Sequence, residues 1–390
     1  DTLCALHDSF PDSHDIALEY AKGLVNLSAT QELAERKNTI DTLCALHDSF
    51  PDSHDIALAY AKGLVNLSTD QELAERKNTI DTLCALHDSY PDSHDIALVY
   101  AEGLFNLSTD QELAERKNTI DTLCALHDSY PDSHDIALVY AEGLFNLSTD
   151  QELAERKNTI DTLCALHDSY PDSHDIAWVY AEGLFNLSTD QELAERKNTI
   201  DTPCALHDSY PDSHDIAWVY ANGLVNLSAA QELAERKETI DTLCALHDSF
   251  PDSHDIALAY AKGLVNLSTD QELAERKNTI DTLCALHDSY PDSHDIAWVY
   301  AQGLVNLSVV QEVARAEGTI HTLCALHDSY PNNPEMALAY AKGLFVLACK
   351  QEGTKRAETV DKLKKLHESN PDHPEIAVLY LTLTGNPSDG

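Results

Sequence analysis

The sequence predicts an all-α fold, an α-solenoid of about ten antiparallel helical hairpins. Three observations support this prediction. The sequence repeats every 40 residues without insertions, and the block 81–120 recurs letter for letter at 121–160. Each copy holds two segments whose apolar residues fall at helical spacing. The connection between the two segments is short, which makes them antiparallel neighbours.

A fixed period means that each copy packs mainly on its neighbours, so residues 1–390 are predicted to form a single solenoid. Positions are counted here from the first residue of each copy, at Asp1, Asp41, Asp81 and every fortieth residue after them. The first copy starts within a hairpin, which predicts an apolar face that another copy of the chain could cover. Hairpins are predicted to begin near residues 13, 53, 93, 133, 173, 213, 253, 293, 333 and 373, with a tail at 385–390.

The first helix of each hairpin, helix A, is predicted over 54–67 in the copy that serves as the example. Pro51 separates it from the preceding helix, and Ser53 is a suitable N-cap. Gly63 lies in the helix interior, where glycine costs about 1 kcal/mol. We therefore expect it to allow the close approach of a second helix.

The second helix, helix B, is predicted over 69–88. Ser68 and Gln71 match a capping box at its start. Glu72 and Arg76 are expected to form an i,i+4 pair on the outer face. Pro203 replaces a leucine inside one helix B, so we expect a kink or a widened turn near 199–203 in a stack that is otherwise unbroken.

The net charge of −42 argues against nucleic acid and anionic membranes as partners, because both require clustered Lys and Arg. The acidity is explained by solubility, by a salt-rich habitat or by a preference for basic partners. No run of 18 apolar residues is present.

Nine of the ten cysteines occupy position 4 of successive copies, and the tenth is Cys349. Stacked helices lie roughly 8–10 Å apart, beyond the reach of about 7 Å that a disulfide allows between Cα atoms. We expect ten unpaired, mostly buried thiols, which indicates a cytoplasmic protein.

The hairpin resembles the tetratricopeptide repeat. Ala57, Tyr60-Ala61 and Leu64 have the spacing of that family's first helix, and Pro91 matches its closing proline. Asn332-Asn333-Pro334-Glu335 is similar to the family's turn between repeats. The resemblance implies a right-handed superhelix whose concave groove is lined by helix A. The period of 40 exceeds the family's 34. Armadillo and HEAT repeats have a period near 40, but this sequence does not contain their signature residues.

Differences between copies concentrate at positions 18, 22 and 25, which share one face of helix A. The register implied by the resemblance places these positions and position 26 in the groove. Aromatic residues beside varying charges suit a recognition surface, although drift on an exposed face would produce the same pattern. The predicted ligand-groove residues are Trp178, Trp218, Trp298, Glu102, Glu142, Glu182, Asn222, Gln302, Phe105, Phe145, Phe185, Asn106, Asn146, Asn186 and Asn226.

The asparagines at position 26 could hold the backbone of an extended peptide, or they could cap the end of helix A. His7 and His14 match no metal-ligand spacing, so no metal site is predicted. Potential catalytic residues recur identically in nearly every copy, whereas an active site needs one special pocket. We therefore predict no enzyme activity and no cofactor.

The sequence is consistent with two functions. The first is a scaffold whose groove binds a protein or peptide, for which a basic partner is one candidate. The second is a structural spacer whose length depends on the number of copies. The varied face of helix A favours the scaffold, and the near-identity of the copies favours the spacer.

Overall fold

The computed structural model describes residues 2–385, and it is helical between short turns, without strands in that range. Its contacts divide the chain into two compact units, Asp1–Asp190 and Gln191–Gly390. Helices follow one another at the 40-residue period in both units, which confirms the all-α solenoid of hairpins. Most of the predicted tail, residues 386–390, lies outside the described residues.

Helix B and helix A alternate along each unit. The first unit contains α1 (Thr2–Ser9), α2 (His14–Ser28), α3 (Leu33–Ser49), α4 (His54–Ser68), α5 (Leu73–Ser89), α6 (His94–Thr109), α7 (Leu113–Ser129), α8 (His134–Thr149), α9 (Leu153–Ser169) and α10 (His174–Thr189). The second unit contains α11 (Leu193–Ser209), α12 (His214–Ala230), α13 (Leu233–Ser249), α14 (His254–Ser268), α15 (Leu273–Ser289), α16 (His294–Val310), α17 (Val313–Ser329), α18 (Pro334–Lys350), α19 (Gly353–Ser369) and α20 (Pro374–Thr384).

Helix A carries the core of each repeat. Ile56, Ala57 and Ala61 of α4 are fully buried, and the hydroxyl of Ser53 accepts a hydrogen bond from the backbone N–H of Ile56 as predicted. A Cβ atom on Gly63 would lie 2.6 Å from Leu43 Cδ1 of the preceding helix B. The glycine therefore allows the close approach that the sequence indicated.

Helix A and helix B have different neighbours within each unit. Each helix A packs against the next helix A and against the helix B on either side of it. Consecutive B helices inside a unit, over the described residues, bring no pair of Cα atoms within 8 Å. The A helices thus form the more closely packed layer of each stack.

The predicted start of helix B is wrong. Helix A continues through Ser68, which is fully buried and donates its hydroxyl to the carbonyl of Val65, and helix B begins at Leu73. Gln71 is not part of a capping box, because its side-chain carbonyl accepts a hydrogen bond from the Thr79 hydroxyl at 2.7 Å. This bond ties the loop to the second turn of helix B.

The predicted surface pair of Glu72 and Arg76 is also wrong, because Arg76 is buried. Its Nε and Nη2 donate to the main-chain carbonyls of Ser68 and Gln71 in its own repeat, at 2.8 and 3.1 Å. Its Nη1 donates to the carbonyl of Asn106 and to the carboxylate of Asp110 in the next repeat, at 3.1 and 2.5 Å. The guanidinium therefore joins the ends of two successive A helices, and we call this arrangement the arginine clamp.

The arginine clamp recurs at position 36. The Nη1-to-carbonyl bonds are Arg36–Asn66, Arg116–Asn146 and Arg156–Asn186 in the first unit, and Arg196–Asn226, Arg236–Asn266 and Arg276–Asn306 in the second.

All ten cysteines are unpaired, as predicted, but they are not mostly buried. The nine at position 4 are half-buried and Cys349 is exposed. Position 4 lies at the edge of the buried face of helix B rather than within it.

Of the described helices, none has both the length and the apolar character needed to cross a bilayer.

Pro203 is buried inside α11, which runs without interruption from Leu193 to Ser209. In copies with leucine at position 3, the hydroxyl of the preceding threonine donates to a carbonyl four residues earlier, as Thr162 does to Asn158 and Thr242 to Glu238. Within residues 2–385, Thr202 makes no equivalent bond to Asn198. The effect of the proline on the helix is therefore local.

Candidate functional site

Positions 18, 22, 25 and 26 of helix A form a partly exposed strip in both units, which we call the variable face. In the first unit this strip lines a shallow cavity of about 440 Å³. Leu18, Lys22, Val25 and Asn26 form one wall, and Asp55, Leu58, Ala59 and Lys62 of the next repeat form the other.

The second unit has a cavity of about 450 Å³ at the same positions. Trp298, Gln302, Val305 and Asn306 form one of its walls, and Glu335, Leu338, Ala339 and Lys342 form the other. The two cavities show that positions 18, 22, 25 and 26 of one repeat meet positions 15, 18, 19 and 22 of the next. Position 15 is acidic in every copy, so differences between copies do not reveal it.

The aromatic residues of the variable face are only partly covered. Trp178 and Trp298 are half-buried, and Trp218 is 37% exposed. Phe105, Phe145 and Phe185 are half-buried. Each repeat therefore offers apolar surface that its own packing does not use.

Carboxylates face each other across this surface in the first unit. Burial, reinforced by Asp135, raises the pKa of Glu102 above its usual value, while Lys62 opposes this shift. Burial, reinforced by Asp175, likewise raises the pKa of Glu142. In both cases position 22 of one repeat meets the acidic position 15 of the next, and a cation bound between them would relieve the repulsion.

The remaining predicted residues at position 22 are also partly exposed on the variable face. Glu182, Asn222 and Gln302 are half-buried. The side-chain amide of Asn222 donates to the main-chain carbonyl of Trp218 at 3.0 Å. Gln302 lies in the cavity beside Trp298.

The asparagines at position 26 link repeats to each other. The side-chain amides of Asn66 and Asn266 each donate to the position-28 serine of the preceding repeat, Ser28 and Ser228, at 2.9 Å. The main-chain carbonyls of Asn106, Asn146, Asn186 and Asn226 accept from the arginine clamp.

One of the two sequence interpretations of position 26 is wrong. The asparagines are not helix caps, because helix A continues past them to Ser68 or Thr109. The amides of Asn66 and Asn266 instead donate to the serine hydroxyl of the neighbouring helix. Peptide binding by Asn106, Asn146, Asn186 and Asn226 stays a prediction.

The histidines at positions 7 and 14 have structural contacts. His54 Nε2 lies 2.5 Å from the hydroxyl of Ser93, the N-cap of the next helix A. His127 lies between Tyr140 and Tyr170, with ring centroids at 5.7 and 5.8 Å. Among residues 2–385, no group of three His, Cys, Asp or Glu side chains is arranged to hold a metal ion.

No protein-family model matches this sequence, and no curated protein is significantly similar to it.

Proposed function

We propose that this chain is a binding scaffold and not an enzyme, and that the variable face of helix A holds an extended segment of a protein or peptide. The observation that carries the proposal is the recurrence of one cavity at equivalent positions of both units, with side chains that differ between copies. The packing residues around the two cavities stay the same, so different side chains line equivalent pockets on an unchanged frame.

A segment rich in Lys and Arg is the partner that best fits the variable face of the identical copies at 81–120 and 121–160. Glu102 and Glu142 face Asp135 and Asp175, and a phenylalanine lies one turn away from each glutamate. A guanidinium or ammonium group between two carboxylates and an aromatic face gains both ion pairing and cation–π attraction. The net charge of −42 would also accelerate the encounter with a basic segment.

We also propose a tetratricopeptide-like architecture with a right-handed superhelix, and a location in a reducing cytoplasmic compartment. The first is supported by the first-helix spacing of Ala57, Tyr60 and Leu64 together with the close packing of the A helices. The second is supported by ten cysteines without a disulfide.

The test is binding of the purified chain to an array of basic, neutral and acidic peptides at low and high salt. Glu102→Gln with Glu142→Gln should weaken binding of Lys- and Arg-rich peptides by tenfold or more. Asp81→Asn with Asp121→Asn is the matched control, since it removes the same two charges from exposed positions of helix B. Equal losses in both double variants would reduce the interaction to net charge and contradict a specific face.

The second candidate is a structural spacer. The observation in its favour is the arginine clamp, which links successive repeats in both units. If no peptide class binds above the control level in the same array, the spacer becomes the better explanation.

A further inference from the structure

The interfaces between ordinary repeats have a fixed direction of charge. The repeat that comes first supplies cations from its helix B, and the next repeat supplies the anions. In the first unit, Arg76 binds Asp110 at 2.5 Å and Lys77 binds Glu115 at 2.7 Å. In the second unit, Arg236 binds Asp270 at 2.6 Å and Lys237 binds Glu275 at 2.9 Å.

The interface between 281–320 and 321–360 reverses this direction at both places. Ala316 stands where the clamp arginine belongs, and Lys350 stands at the aspartate position of the next repeat. The amino group of Lys350 reaches back to the carbonyls of Ser308, Val309 and Gln311 at 2.9, 2.7 and 2.6 Å. The carbonyls at positions 28 and 31, which elsewhere accept from arginine, are thus satisfied by a cation from the other side.

The second ion pair is reversed as well. Glu317 occupies the position of the usual lysine, and its Oε1 lies 2.8 Å from Nζ of Lys355, which occupies the position of the usual glutamate. Gln351 adds a hydrogen bond of 3.0 Å to the same carboxylate oxygen. The lysine–glutamate pair has therefore exchanged sign, and beside it a lysine of the next repeat bonds two carbonyls that the clamp arginine otherwise satisfies.

We propose that this reversed interface specifies register, so that the hairpins from 321 onward dock on the repeat at 281–320 and on no other copy. Docked on the repeat at 201–240, Lys350 would meet Arg236 and Lys355 would meet Lys237. Conversely, an ordinary hairpin placed against 281–320 would bring a glutamate to Glu317 and an aspartate to the uncharged Ala316. Like charges brought together exclude the wrong partner, which is the general device for specificity between similar surfaces.

Such a device has a clear purpose in this chain. The copies at 81–120 and 121–160 are identical, so neither carries a residue that distinguishes it from the other. Arrays of near-identical units are prone to misassembly and to exchange of units between molecules. A sign-reversed interface fixes at least one junction without changing the fold of the units that it joins.

The test uses three variants of the full chain. The first half-variant is Ala316→Arg with Glu317→Lys, the second is Lys350→Asp with Lys355→Glu, and the four-fold variant combines them. Each half-variant should raise amide exchange across 313–350 by roughly ten- to hundredfold, the worth of a hydrogen bond to a charged group. The four-fold variant should return to parental protection, because both pairs then have the ordinary direction.

Arg356→Glu with Lys364→Asp is the control for the second half-variant, since it changes net charge by the same amount at exposed positions of α19. Exchange across 33–129 shows in every variant that the rest of the chain remains folded. Parental exchange in the half-variants, or no recovery in the four-fold variant, would overturn the proposal.

Register itself is measured by refolding from denaturant at several concentrations, followed by size-exclusion chromatography with light scattering. The four-fold variant should form more dimer and larger species than the parent, because the junction between 281–320 and 321–360 then has the ordinary direction of charge. Stability that recovers without added association would mean that the reversed pairs only hold the junction together, and the register proposal would fail.

Discussion

The guanidinium of Arg116 donates a hydrogen bond of 3.2 Å to the main-chain carbonyl of Asn146 in the next repeat. The same side chain also bonds the carbonyls of Ser108 and Gln111, at 2.9 and 3.0 Å. A helix leaves its last carbonyls without partners inside the helix. The clamp satisfies such carbonyls in two neighbouring repeats with one side chain, so it joins the units as well as completing the helix ends.

Arg116→Met should lower the free energy of unfolding by about 3 kcal/mol, because buried carbonyls lose their only charged donor. The measurement is chemical denaturation together with amide exchange across 106–150. Lys117→Ala is the matched control, since it breaks the exposed pair with Glu155 and should cost less than about 1 kcal/mol. A similar small loss in both variants would contradict the structural role given to the clamp.

Val310→Asp should stabilise the chain by about 1 kcal/mol, in the range of a charge-assisted hydrogen bond. Val310 is 42% exposed and stands where other copies place the aspartate of the clamp. Arg276 beneath it has a buried Nε without a partner, and burial lowers the pKa of its guanidinium. A carboxylate at position 310 would supply the missing anion.

Val309→Asp is the control for this substitution. It introduces the same charge and removes another exposed valine one residue away, at a position where none of the complete 40-residue copies has an acidic residue. Thermal unfolding should show stabilisation for Val310→Asp alone. Equal effects of the two variants would assign any gain to the loss of exposed apolar surface.

The sequence predicted the fold well, because the 40-residue period and the helical spacing of apolar residues are local patterns. It misplaced the start of helix B, because Ser68 and Gln71 match a capping box by spacing alone. The buried position of Ser68 depends on Asn66 and on the preceding repeat, which a local pattern does not contain.

The position of the variable face follows from the sequence, whereas its role in binding stays a prediction. The variable face was visible because copies differ there, and the cavities lie at those positions. The clamp was missed because Glu72 and Arg76 have the spacing of an ordinary surface pair. A signal was nevertheless present in the sequence, since the copy that replaces the arginine by Ala316 is followed by the copy that replaces the aspartate by Lys350.

Stability should decrease as the pH falls below about 6.5, the ordinary pKa of histidine. Burial lowers the pKa of His127, as it does for His47, His167, His207 and His247, while the neighbouring Asp128 acts in the opposite direction. The unfolded chain therefore binds protons more readily than the folded chain in this range. The contribution is fully present above the unfolded pKa and is lost as the pH falls through the lower folded value.

His127→Phe isolates this effect from the carboxylates, whose protonation also relieves repulsion in so acidic a chain. Phenylalanine can keep the packing between Tyr140 and Tyr170 without titrating. Amide exchange across 121–140 between pH 7.5 and 5.5 should depend less on pH in this variant than in the parent. His134→Gln, at the exposed start of the next helix, should leave the parental dependence in place. The same slope in all three proteins would show that His127 does not contribute.

Pro203→Leu should stabilise the second unit by about 3 kcal/mol or more, because proline inside a helix removes a backbone donor and clashes with the preceding turn.

The structure shows which contacts differ at the proline. The three atoms nearest to a Cβ atom on Gly223 all belong to Ile200 of α11, whereas a Cβ atom on Gly263 would lie 2.7 Å from Leu243, the residue equivalent to Pro203. The hydroxyl bond of the preceding threonine is also absent at Thr202 within the described range, although its equivalent forms at Thr242. Since α11 nevertheless remains continuous and packs on α12, the neighbouring repeats share the loss, as a solenoid allows.

We therefore expect residues 193–209 to exchange faster than the equivalent residues 233–249 in the parent, and at a similar rate once Pro203 is replaced by leucine. Equal protection of the two segments in the parent chain would show that the helix accommodates the proline at little cost.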